Sequence, residues 1–264
     1  MLVIKSLTKT FPVGGGSVKI AVDRVDLTVE KGQFVTVIGS NGAGKSTLLN
    51  LIAGHHLPDR GTITLDGVDI TRWSEHRRAG YIGRVFQDPL QGTAASMTIE
   101  ENLSMAELRG KRRTLRRGVT PAARARYREL LAPLGLGLEH RLQSEVRLLS
   151  GGQRQSLSLI MATMTRPSLL LLDEHTAALD PKTAQQVLEL TNRIVTEYRL
   201  TTLMVTHNLE HALRLGHRTI MMHEGRIVLD LSGPEREKMT VPDLLKEFSR
   251  ARGTELLEDR LLLA

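Results

Sequence analysis

The sequence predicts an α/β protein, and three observations carry that expectation. Apolar stretches of strand length, at residues 2–4, 34–38, 169–172 and 201–206, are separated by turn-forming glycines. A glycine-rich loop at 39–46 stands between one such stretch and a helical apolar pattern (Leu48, Leu49, Leu51, Ile52) that ends near Gly54. Strand–helix alternation then resumes after residue 168, beyond a segment rich in Arg, Leu and Ala.

Taken in order, residues 1–38 read as β-rich, with turns at Gly14-Gly15-Gly16 and Lys31-Gly32. Residues 61–70 read as two short strands around Asp66-Gly67. From about 89 to 148 few residues are β-branched, so this segment reads as a helical insert. Helix starts are expected at Thr98, with Glu101 completing a capping box, and at Thr120-Pro121. Residues 181–198 read as a helix and 219–231 as a hairpin turning at Glu224-Gly225. After Gly233-Pro234 the tail holds one amphipathic stretch, 241–248, whose simplest role is packing on its own domain.

Hydrophobic residues at 41% and charged residues at 25% fit a globular protein with an aliphatic core. No apolar run approaches the roughly 18–20 residues that span a bilayer, and residues 1–11 lack the apolar core of a secretory signal. A cytosolic location is therefore expected. The absence of cysteine excludes disulfides and thiolate metal sites. The net charge of +7 is diffuse apart from Lys111, Arg112, Arg113, Arg116 and Arg117. That cluster reads either as a solvated face or as a contact for lipid headgroups or a partner.

Gly39-Ser40-Asn41-Gly42-Ala43-Gly44-Lys45-Ser46 satisfies G-x-x-x-x-G-K-[ST] in full, followed by Thr47. Glycines let backbone N–H groups point inward at phosphate oxygens, and the following helix adds its positive end. Lys45 is suited to the β- and γ-phosphates, and the Ser46 hydroxyl to Mg²⁺. A second potential anion cradle opens a helix at Ser150-Gly151-Gly152-Gln153. One nucleotide does not need two cradles in one chain unless they serve different molecules. Asp173, closing an apolar strand, is suited to hold Mg²⁺, and Glu174 beside it to deprotonate an attacking water.

With Leu149-Ser150-Gly151-Gly152-Gln153 in place, the chain resembles an ATP-binding-cassette (ABC) nucleotide-binding domain over about 1–231, with a helical subdomain at about 89–148 and a C-terminal extension at 232–264. The resemblance implies a P-loop NTPase core with a mixed β-sheet, an N-terminal antiparallel β subdomain and an inserted α-helical subdomain. It implies that Phe11 stacks on adenine, that Gln87 reaches Mg²⁺ and the attacking water, and that His207 contacts the γ-phosphate. The loop Ala177-Ala178-Leu179-Asp180 resembles the family's subunit-crossing loop. His175 stands where the family usually has proline, and Gln155-Ser156-Leu157-Ser158 replaces a more arginine-rich pattern. The stretches 173–184 (DEHTAALDPKTA) and 158–165 (SLIMATMT), with the tail ending in DRLLLA, resemble the branch that serves tryptophan/tyrosine-type amino-acid importers.

The resemblance implies ATP and Mg²⁺ as ligands, hydrolysis of ATP, and head-to-tail pairing of two copies. Separate transmembrane permease subunits and a solute-binding protein follow as partners, with peripheral attachment to the cytoplasmic face of the membrane and no nucleic acid. An exporter, lipoprotein-release or cofactor-assembly machine is the alternative. A soluble ribosome- or DNA-acting member fits less well, because neither a second cassette nor a coiled coil or zinc motif is present.

Overall fold

The computed structural model describes residues 1–111 and 118–252. Arg112, Arg113, Arg116 and Arg117 of the basic cluster, and the last residues of the tail, lie outside the described residues. In chain order the elements are β1 (Leu2–Val13), β2 (Ser17–Val29), β3 (Phe34–Ile38), α1 (Lys45–Ala53), β4 (Arg60–Leu65), β5 (Val68–Asp69), α2 (Glu75–Arg78), β6 (Ile82–Val85), α3 (Ile99–Glu107), α4 (Pro121–Leu131), α5 (Gly151–Thr163), β7 (Leu169–Asp173), α6 (Pro181–Tyr198), β8 (Thr202–Val205), α7 (Leu209–Arg214), β9 (Arg218–His223), β10 (Arg226–Ser232), α8 (Gly233–Glu237) and α9 (Val241–Arg252). Among the described residues no helix is long and apolar enough to cross a membrane.

The chain forms two compact units, one built from Met1–Arg78 with the segment from Leu200 onward, the other from Ala79–Arg199. In the first, β1 pairs antiparallel with β2 (Leu2↔Val29) and β4 (Leu2↔Leu65), and β4 with β5. The β4–β5 turn places Asp66 at φ 49° and Gly67 at φ 80°, the two left-handed positions of a tight hairpin. The same unit holds β3, parallel to both β8 and β9, with β10 antiparallel to β9. Every residue of β3 is buried, as befits a strand covered on both faces. Its one polar side chain, Thr36, donates to the Ala212 carbonyl at 2.9 Å.

Two buried arginines tie this unit together. Arg78 is fully buried and donates to the carbonyls of Leu51, Ile52, Thr71 and Trp73 at 2.7–3.1 Å. Leu51 and Ile52 belong to the last turn of α1, so a fixed cation caps that helix where its dipole is negative. Burial pushes the Arg78 guanidinium down to about 10. Gly54 closes the same turn at φ 86°, and a β-carbon there would meet Arg78 Nε at 2.9 Å. Arg236 of α8 does the same for α7, donating to Ala212 and Leu215 carbonyls and to Thr219 Oγ1. The tail stretch 241–248 packs on its own unit: Leu244 and Phe248 are buried with Ile38, Ala212, Met221 and Leu231.

In the second unit β6 and β7 pair in parallel (Ile82↔Leu169, Val85↔Leu172). Leu169–Leu172 are each 0% exposed, which is why that run reads as a strand without alternation. The helices start where their caps predict. Thr98 forms a capping box with Glu101, and Thr120 accepts from Ala123 N ahead of Pro121. Glu100 of α3 takes a bidentate contact from Arg124 of α4, both bonds at 2.7 Å.

Candidate nucleotide-binding and catalytic site

The first unit carries the phosphate cradle. β3 ends at Ile38, and the chain enters a loop with Gly39 at φ 145°, Gly42 at φ 78° and Gly44 at φ 100° before α1 begins at Lys45. The loop is pressed against its own unit. A β-carbon on Gly39 would stand 2.2 Å from the Met222 carbonyl oxygen, and one on Gly44 2.3 Å from that of Ala21. The β9–β10 turn pins it further, as Gly225 N donates to the Ala43 carbonyl at 3.0 Å. Gly44 supplies no side-chain cap to α1, so the helix presents its first N–H groups to the loop. Lys45 is 5% exposed and its ammonium donates to the carbonyls of Gly39 at 2.7 Å and Ser40 at 3.1 Å. A charge held this way, with almost no water, fits an anion cradle. Ser40, Asn41, Ala43, Ser46 and Thr47 complete the loop and the first helical turn, with the Ser46 side exposed.

Phe11 lies on β1, half-buried, with the His56 ring edge-on at 5.2 Å and the Lys9 ammonium 5.6 Å from its centroid. His56 is held below its ordinary value by burial and by the neighbouring His55 and Lys9 charges. His207 is exposed just past β8, and Asn208 beside it caps α7 by accepting from His211 N at 2.8 Å.

The second unit carries the acids and the second helix start. Asp173 is the last residue of β7, and Glu174 follows at φ 45°, an uncommon backbone state for a glutamate. Asp173 Oδ2 accepts from Arg84 Nη2 at 3.0 Å, both side chains being 13–14% exposed. Arg84 also lies over the Phe86 ring at 4.6 Å, with its Nε buried and, among the described residues, without a hydrogen-bond partner. The sequence reading missed Arg84. A lone arginine inside the buried strand Ile-Gly-Arg-Val was the available signal, because such a charge requires a partner. Gln87 is exposed, two residues past β6.

His175, in place of the family's usual proline, is 2% exposed and lies 3.0 Å from Thr191 Oγ1. Thr191 donates to the Val187 carbonyl at 2.8 Å, so the His175 Nε2–H donates to Thr191. The substitution is absorbed by packing against α6. Gln155, another departure, donates from Nε2 to the Phe86 carbonyl at 3.1 Å and ties α5 to the segment that leads into Gln87.

Ser150 caps α5, accepting from Gln153 N at 3.3 Å, while Gln153 Oε1 accepts from Ser150 N at 3.1 Å. Among the described residues the Ser150 hydroxyl donates to no other group. Gln153, expected among the nucleotide-contacting residues, commits its Nε2 to the Leu136 carbonyl. Gly151 has Leu179 Cδ2 at 3.3 Å from a notional β-carbon, and Gly152 has Thr183 Cγ2 at only 2.1 Å. Glycine at 152 thus leaves room for the Thr183 methyl where α5 approaches the first turn of α6, in addition to any phosphate.

A family model described as ABC transporter matches residues 22–177. The chain is 49% identical over 251 residues to a tyrosine transport ATP-binding protein of Clostridioides difficile (strain R20291), covering 95% of this chain and 100% of that protein. It is 36% identical to the methionine import ATP-binding protein MetN of Corynebacterium efficiens, covering 85% of this chain and 60% of that longer protein. Among solved structures, the dimeric ATP-binding cassette MJ0796 in a post-hydrolysis state with ADP and Pi superposes with a TM-score of 0.75 at 29% identity, covering 88% of this chain and 98% of that one. These matches join the loop and acid geometry in one conclusion: the chain belongs to the ABC transporter family and is an ATP-binding, ATP-hydrolysing cassette.

Proposed function

We propose that the chain powers import of an amino acid, of the aromatic class, through a separate transmembrane permease. The observation that carries this reading is the 49% identity to a tyrosine transport ATP-binding protein along that protein's whole length. Two copies pair head to tail, and each ATP is enclosed between the 39–46 loop of one and Ser150 of the other. A solute-binding protein delivers the solute, and the assembly sits at the cytoplasmic face of the membrane.

Within each site Phe11 stacks on the base, and the loop amides with Lys45 hold the β- and γ-phosphates. Ser46, Gln87 and Asp173 offer a hydroxyl, an amide oxygen and a carboxylate, an all-oxygen set that suits Mg²⁺. The Arg84 contact on Asp173 Oδ2 orients that carboxylate. When bound, Mg²⁺ neutralises charge developing on the phosphate oxygens. Glu174 orients a water and takes its proton as the water oxygen bonds to the γ-phosphorus. The bond from that phosphorus to the β–γ bridging oxygen breaks, and ADP carries the electron pair away. His207 donates to the γ-phosphate as its charge redistributes, and the Ser150 hydroxyl does so from the partner copy. Losing the γ-phosphate removes the link between the copies, and the permease responds to that opening.

Uptake of labelled tyrosine, tryptophan and methionine by cells whose chromosomal copy carries Lys45→Ala tests the assignment. Loss of aromatic uptake alone supports it. Unchanged uptake of the aromatic amino acids, or loss confined to methionine, overturns it.

A further inference from the structure

We infer that Lys19 is a second cation of the nucleotide site, reaching from the base platform to the phosphate chain of a bound nucleoside di- or triphosphate. In the β1–β2 ladder Lys19 stands directly opposite Phe11. Cross-strand partners of an antiparallel pair project from the same face of the sheet, so the Lys19 stem shares a face with the Phe11 ring. Its ammonium reaches the glycine loop. Lys19 Nζ lies 3.8 Å from the point where a β-carbon on Gly42 would stand. Lys19 is exposed, and among the described residues no carboxylate pairs with it. Asp23, the next acid along β2, is already engaged by Arg226 at 2.6 Å and by Arg24 at 3.3 Å.

Loop residues 39–46 contain no acid, yet Lys45 and Lys19 both bring their charge to them. Two cations converging on one loop repel in the empty protein, and an anion laid along the loop relieves that repulsion. A nucleotide whose base rests on Phe11 and whose terminal phosphates meet Lys45 must run its ribose and first phosphate between them. Lys19 stands along that path, on the solvent side, where its ammonium can contact a phosphate oxygen without being desolvated.

The inference rests on reading residues 39–46 as the phosphate cradle, and the test separates the two. Calorimetric titration of the full chain with Mg-ADP, and displacement of a fluorescent ADP analogue by adenosine, are compared for wild type, Lys19→Met, Lys19→Arg and Lys45→Ala. Lys19→Met keeps an apolar stem beside Phe11 and removes only the charge. ADP affinity is expected to fall about tenfold, with adenosine affinity unchanged and ADP affinity largely restored in Lys19→Arg. The salt dependence of ADP binding should also become shallower in Lys19→Met. Wild-type ADP affinity in Lys19→Met, alongside lost affinity in Lys45→Ala, overturns the inference and leaves the cradle standing. Equal losses for ADP and adenosine place Lys19 under the base and also overturn it. Wild-type ADP affinity in Lys45→Ala removes the cradle and the inference together.

Discussion

Replacing Gly152 with alanine puts a methyl group 2.1 Å from Thr183 Cγ2, where ordinary contact begins at 3.4 Å. Either Thr183 must leave its present rotamer, or α5 and the first turn of α6 must part by more than an ångström. The helix backbones are not free to part cheaply. Ser150 and Gln153 lock the start of α5 in a capping box, and Asp180 caps α6 by accepting from Thr183 N at 3.1 Å. Overpacking of this kind costs about 1–3 kcal/mol, and a chain of this size loses about 2–4 °C in Tm per kcal/mol. Thermal unfolding of purified Gly152→Ala should therefore show a drop of several degrees. The cause is a single methyl, so Thr183→Ser, which deletes Cγ2, should restore most of the loss in the double variant. The next atom, Thr183 Cβ, stands at 3.6 Å, an ordinary distance. A Gly152→Ala protein with wild-type Tm, or a double variant no more stable than the single one, refutes the steric reasoning.

Arg78→Met should destabilise the chain by about 2–4 kcal/mol in denaturant unfolding, because it leaves the α1 carbonyls it now satisfies without a donor. Lys45→Ala should lose measurable Mg-ATP binding in a calorimetric titration, since the charge it removes is held on the loop with almost no water. Phe11→Ala should weaken ATP binding by about 1–3 kcal/mol, as loss of a base-stacking surface does elsewhere, while Phe11→Tyr should retain it in the same titration.

The local features of this fold were legible because each is decided within a few residues. Thr98 with Glu101, Thr120 with Pro121, and Asp66 with Gly67 mark their helix starts and turn by short-range hydrogen bonding and backbone preference. The glycine loop was legible because its spacing is itself the chemistry. Arg78, Arg84 and Arg236 were not, since their partners lie up to 89 residues away, and only Arg84, alone in an apolar strand, carried a local mark of a buried cation. Gly152 was read as a phosphate contact, but its tightest constraint is Thr183 on another helix. The sequence reading places the tail after Gly233-Pro234 without a helix there, whereas proline sits in the first turn of α8. Of the candidate site, the residue types and their order were visible in sequence. The engagements that orient them, Arg84 on Asp173 and the Gln153 amide on Ser150 and Leu136, depend on packing.

Glu174→Gln tests the account at its centre. The change keeps the side chain's shape at the left-handed turn after β7 and removes its charge and basicity. Loss of a general base typically lowers the rate about 10²–10⁴-fold, while the loop, Lys45 and Ser150 stay intact. Size-exclusion chromatography with light scattering should then find Glu174→Gln dimeric in ATP and monomeric without it, with the wild type mostly monomeric in both. Adding Ser150→Arg should abolish the ATP-dependent dimer by blocking the hydroxyl's approach to the partner's phosphate. A Glu174→Gln protein that hydrolyses ATP at the wild-type rate, or a Ser150→Arg double variant that still dimerises with ATP, contradicts the account.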